Sequence, residues 1–163
     1  MSADEAAVKE FVETYTDDAS AIIFDWNGKH ADEFEDANED FRSAVIDCVV
    51  ADPDRVPLAL LVELYRALTV RSAEAWSIDQ RVETIARLML VKGRSAVAYD
   101  YIEGARQSFD AMCATGFAGC PRDIAEECLE HARTSLRSAS KDDGRDVWET
   151  AVERFELLLK HAG

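Results

Sequence analysis

The residues with most chemical potential lie late in the chain. Cys128 and His131 are three apart, a spacing that puts both side chains on one helix face, and Glu127 stands four before His131. A thiol, an imidazole and a carboxylate grouped this way could supply a nucleophile with its base, and Cys120 and Cys113 would extend the group to a zinc set. Against that, the six- and seven-residue gaps between Cys113, Cys120 and Cys128 match no short Cys-x-x-Cys knuckle, and Cys128 falls on the apolar stripe of its helix. The first expectation is therefore of structural thiols, and the second is of a thiol- or metal-dependent enzyme centred on Cys128 and His131. No catalytic residue, metal ligand or cofactor is assigned.

A second group runs from His30 to Asp40, where Asp32, Glu33, Glu35, Asp36, Glu39 and Asp40 place six carboxylates in nine residues. Carboxylates turned inward with a Glu-x-x-His pair could hold metals in a helical bundle, but here the order is His30-x-x-Glu33. At helical spacing Phe34, Ala37 and Phe41 point inward and all six acids point to water. The expected result is a negative surface on which a basic protein could dock. The loop Thr115-Gly116-Phe117-Ala118-Gly119-Cys120 lacks the Lys-Ser or Lys-Thr of a phosphate-binding loop. It offers Phe117 as a second partner-binding residue. Phe24 and Tyr99 also fall off their helices' inward faces and are expected at the surface or in a secondary contact, self-association being one such contact.

Charge narrows the class of partner. Lys and Arg total 18 against 33 Asp and Glu, a net charge of -15 that repels a phosphate backbone and argues against direct nucleic-acid binding. The first residues carry neither a basic nor an apolar leader pattern, and no apolar run approaches the ~18 residues of a membrane span, so a cytoplasmic protein is expected. A reducing compartment would keep the four cysteines as thiols.

The elements that must position these groups are helical throughout. Val8, Phe11, Val12, Tyr15, Ala19, Ile22, Ile23 and Trp26 keep one phase at 100° per residue, which predicts a single first helix from about Ala3 to Trp26. A capping box, Ser2 with Glu5, starts it and Asn27-Gly28 ends it. A second helix is predicted from about Ala31 to Val50, turned back on the first. A third begins at Pro57 and is apolar on nearly every side, as a central helix should be. A fourth, capped by Ser77 or Ser72, ends at Gly93. A fifth runs from Ser95 to Gly116, a sixth follows Pro121, and a seventh follows Gly144.

No window alternates at period two, so no sheet is expected. The fold class is all-α, with about seven antiparallel helices in one domain over residues 1-163, either a compact bundle or a short HEAT-like array. On these grounds the chain is expected to be an interaction module using an acidic surface, in one version an inhibitor or immunity-type protein for a basic partner.

Overall fold

The computed structural model describes residues 5–116, 119–141 and 144–161. Among them are eight α-helices: α1 (Glu5–Thr14), α2 (Glu39–Ala51), α3 (Leu58–Ala75), α4 (Val82–Gly93), α5 (Ala98–Ala105), α6 (Phe109–Ala114), α7 (Arg122–Ser138) and α8 (Arg145–His161). Two 3-10 turns, Ala31–Glu33 and Arg94–Val97, join them, and no strand occurs among the described residues. The fold is all-α. No helix among these residues is long and apolar enough to cross a membrane.

Helix α3 lies at the centre because its sequence leaves almost no polar face. Leu60, Leu61, Leu64, Tyr65 and Leu68 are all buried. The consecutive helices α1 and α2, α3 and α4, and α7 and α8 pack as pairs, and α5 joins the second pair to the third by touching both α3 and α8. Close approach of α5 to α3 needs Gly104, since a Cβ there would meet the Tyr65 ring carbon Cζ at 2.9 Å and Thr69 Oγ1 at 3.0 Å. The buried hydroxyls along this seam are satisfied. Tyr65 donates to the Tyr101 carbonyl at 2.7 Å, and Tyr101 donates to the Thr115 carbonyl at 2.7 Å.

Two predicted helices are shorter than their apolar periodicity implies. The first stops at Thr14 rather than Trp26. Beyond it, Thr16, Asp17 and Asp18 are weak helix formers, and the Asp18 carboxylate takes the Ser20 N–H at 3.0 Å, a local bond that competes with the helix. Carbonyls of the next turn are satisfied from a distance: Asn38 Nδ2 donates to Ser20 and Ile23, and Arg42 Nη1 donates to Ile22 and Ile23. Ile22 still enters the core, which is why the apolar phase continues without a helix.

The second helix begins at Glu39, not Ala31. Residues 25–37 instead double back, with Asn27 N–H to the Glu35 carbonyl at 3.0 Å and Ala37 N–H to the Asp25 carbonyl at 2.9 Å. Gly28 has φ +78° in this reversal, so the predicted Asn27-Gly28 break is a turn of a loop.

Helix four ends at Gly93 as expected, but neither Ser77 nor Ser72 caps it. Ser72 is buried within α3 and bonds the Thr69 carbonyl, while the Asp79 side chain accepts the Arg81 N–H at 2.9 Å ahead of α4. The fifth predicted helix is divided. Ser108 caps α6, its Oγ accepting the Ala111 N–H at 3.0 Å and lying 2.7 Å from Ser72 Oγ, so a new helix starts where one continuous helix was expected.

Candidate functional site

The acidic segment is built around one carboxylate that faces inward. Asp36, expected in water with its neighbours, is fully buried and paired with Arg42, itself only 2% exposed. Asp36 also accepts the N–H groups of Asp25 and Asn38, each at 3.2 Å. Burial alone would raise its pKa; the hydrogen bond and charge of Arg42, with the two N–H donors, outweigh that and hold it below its ordinary value. Arg71 on α3 adds a second cation, its Nε 3.8 Å from Asp36, its Nη2 bonded to Glu39 at 2.6 Å and its guanidinium 5.4 Å from the Phe34 ring centre. Asp36 thus fixes residues 22–42 against α3, and it is lost to any docking surface.

The other five acids remain exposed. Glu33 pairs with Lys29 at 2.7 Å and Glu39 with Arg71, whereas Asp32, Glu35 and Asp40 make no ion pair among the described residues. Beside them the folded-back loop lines up aromatic rings that the sequence reading did not group. Phe34 and Phe24 are near-parallel at 6.2 Å, Phe24 and Trp26 at 6.3 Å, Trp26 and His30 meet at 4.9 Å, and His30 stacks on Trp76 at 5.5 Å and 10°. Phe34, expected in the core, is only half-buried, and Trp76 at the end of α3 is 75% exposed. A hollow of about 190 Å³ next to Phe24 is lined by Ile23, Glu63, Arg66, Ala67 and Val70.

Of these rings only Phe24 stands out in the sequence, by its position off the apolar stripe. Trp76 had one available signal, a tryptophan standing between Ala75 and Ser77 at the end of a helical pattern. Arg71 and Trp26 had none, because their neighbours come from residues far along the chain or from a loop read as helix.

The cysteine and histidine group does not converge. Cys128 is buried, and burial, with nearby Cys120 and Glu127, pushes its thiol up to about 12. Burial and Asp123 raise Cys120 to about 11. Such thiols stay protonated at neutral pH, the opposite of what an activated nucleophile needs. His131 is exposed against Trp148, the ring centres 5.4 Å apart. Cys113, expected on an inward face, is exposed.

Glu127 serves the turn before α5. It accepts from the Ser95 hydroxyl at 2.7 Å, from Arg94 Nε at 2.6 Å and from the Ser95 N–H at 3.2 Å, bonds that bring its pKa down to about 2. No group of three or more metal-ligating side chains forms among the described residues. Phe117 lies outside them. Tyr99 packs its edge on Trp148 at 5.4 Å while staying 38% exposed, a secondary contact of the expected kind.

A polar hollow of about 240 Å³ between α2 and α3 is lined by Arg42, Arg71 and Arg81, but each guanidinium is already matched by a carboxylate: Asp36, Glu39 and Asp79. The acidic segment and the aromatic line together present exposed carboxylates without an ion pair among the described residues, Asp32, Glu35 and Asp40, beside the exposed rings of His30 and Trp76. Comparison of the chain with protein-family models, with curated proteins and with solved structures finds no match.

Proposed function

We propose that this chain is a protein-binding module that docks a basic partner on the face formed by Asp32, Glu33, Glu35, Glu39 and Asp40 with the rings of Phe24, Trp26, His30 and Trp76. The observation that carries this reading is the presence of exposed carboxylates, three of them (Asp32, Glu35 and Asp40) without an ion pair among the described residues, beside a line of half-buried and exposed rings that ends on the exposed His30 and Trp76, in a segment held by the buried Asp36 and Arg42 pair. Interfaces concentrate binding energy in aromatic anchors surrounded by a polar rim, and complementary charge speeds encounter.

A net charge of -15 would attract a cationic protein from a distance and would oppose self-association through the same face. An inhibitor or immunity-type role fits, with carboxylates occupying the place of phosphate on a basic enzyme. A reducing cytoplasmic setting suits the four free cysteines.

The test is retention of a basic protein from host extract by the wild-type chain and by an Asp32→Lys/Glu35→Lys variant. The same basic protein should be held by the first and lost by the second, with matching circular dichroism. Equal retention by both would refute the reading.

A further inference from the structure

Trp76 departs from two rules that a residue of its type usually obeys. It is 75% exposed, and it adopts the left-handed conformation, φ 52° and ψ 27°, at the end of α3. Glycine or asparagine normally ends a helix in that way. What steadies the indole is His30, stacked on it at 5.5 Å, with His30 Nδ1 in turn 3.3 Å from the Glu74 carbonyl. One indole face is therefore covered and pre-positioned, and the rest of the ring is open.

The same line of rings already accepts a cation at its other end, where the Arg71 guanidinium lies over Phe34 at 5.4 Å. The exposed charges that flank His30 in the chain are negative apart from Lys29, which Glu33 pairs at 2.7 Å. His30 leads directly into Asp32, Glu33 and Glu35, all exposed, and Glu74 precedes Trp76 by two residues. Tryptophan is the best aromatic partner for a cation, and carboxylates nearby select a cation over a neutral or anionic group.

Resting on the docking role proposed above, we infer that Trp76 is the anchor of this surface and that it takes an arginine side chain of the partner, stacked on the indole. Arginine fits better than lysine because its guanidinium is planar and weakly hydrated. It stacks on a ring while its edge N–H groups still reach the flanking carboxylates, whereas an ammonium holds its water.

The experiment titrates the full chain with oligo-arginine and oligo-lysine of equal length. A stacked guanidinium at an exposed site contributes ~0.5–1 kcal/mol, so the wild type should bind oligo-arginine about 2- to 5-fold tighter than oligo-lysine. Trp76→Phe should keep part of that ratio, and Trp76→Leu, which retains apolar bulk without a π-face, should bring it toward one. Asp32→Lys/Glu35→Lys should weaken both peptides and lower the ratio only in part, keeping it above one, because the indole that stacks the guanidinium is untouched. A wild-type ratio near one, or a ratio unchanged in Trp76→Leu, overturns the anchor while the docking role survives. Binding of neither peptide overturns both. Circular dichroism of each variant guards against a misfolded comparison, and the Phe and Leu pair is read only against each other at matched fold content.

Discussion

At the scale of single residues, Asp36 decides how the acidic segment is arranged. Its carboxylate is fully buried on Arg42, so removing it strands a buried guanidinium. Asp36→Ala should cost ~3–5 kcal/mol in urea unfolding, as expected when one partner of a buried pair is deleted. A loss under 1 kcal/mol, the ~0–1 kcal/mol typical of an exposed pair, would mean the carboxylate is not the pivot described. Trp76 should behave in the opposite way. Replacing it by glycine relieves a left-handed strain of ~1–2 kcal/mol and loosens the unfolded chain by a comparable ~0.5–1 kcal/mol. Stability measured by denaturation should therefore stay within about 1 kcal/mol of wild type while partner binding falls, separating a binding residue from a structural one.

Titration follows from the same groups. Asp36, Asp79 and Glu127 all have folded pKa values below their ordinary ones, Glu127 at about 2. Their contribution is complete above the unfolded carboxylate range of ~4 and is lost as pH falls through the folded values. Cys120 and Cys128, raised to about 11 and 12, act on the alkaline side. Their unfolded thiols ionise near ~8.5, so stability falls above that pH as the unfolded state sheds protons that the folded state keeps. Melting temperature against pH should show a plateau between about 5 and 8 with a decline on each side. A decline beginning near pH 6 would contradict this.

At the scale of elements, α3 organises the molecule, and Leu61→Ala or Leu64→Ala should each cost ~2–5 kcal/mol because both side chains are buried at its centre. Gly104→Ala tests the seam with α5: a methyl forced onto the Tyr65 ring should cost ~1–3 kcal/mol by overpacking, measured by the same unfolding curves.

The predicted helices three, four, six and seven are legible in the sequence because local patterns end where local stop signals stand, such as Gly93 after an amphipathic run. The segment from Tyr15 to Asn38 is not legible in that way. Its carbonyls are bonded by Asn38 and Arg42, residues up to twenty positions away, and a periodicity argument sees only that Ile22 is apolar. The candidate surface is half legible for the same reason. Five of the six acids face water as their charge suggests, but the sixth is drawn inside by Arg42. The aromatic line exists only because the loop folds back at Gly28, which places Phe24 and Trp26 beside Phe34 and His30.

At the scale of the whole molecule, the chain combines a strongly negative field with one face on which charge and exposed rings coincide. Such a field acts mainly on encounter, so raising salt should slow association more than it hastens dissociation. The sharpest single measurement is the affinity, at low salt, of the basic protein retained from host extract for the wild-type chain and for Asp32→Lys/Glu35→Lys. Neither Asp32 nor Glu35 makes an ion pair among the described residues, so their reversal removes surface charge without dismantling a support. The account predicts at least a tenfold weaker complex for the variant, equivalent to ~1.4 kcal/mol, carried largely by a slower on-rate that converges on the wild-type value as salt is added. An unaltered affinity at low salt, with both chains equally folded, would contradict it.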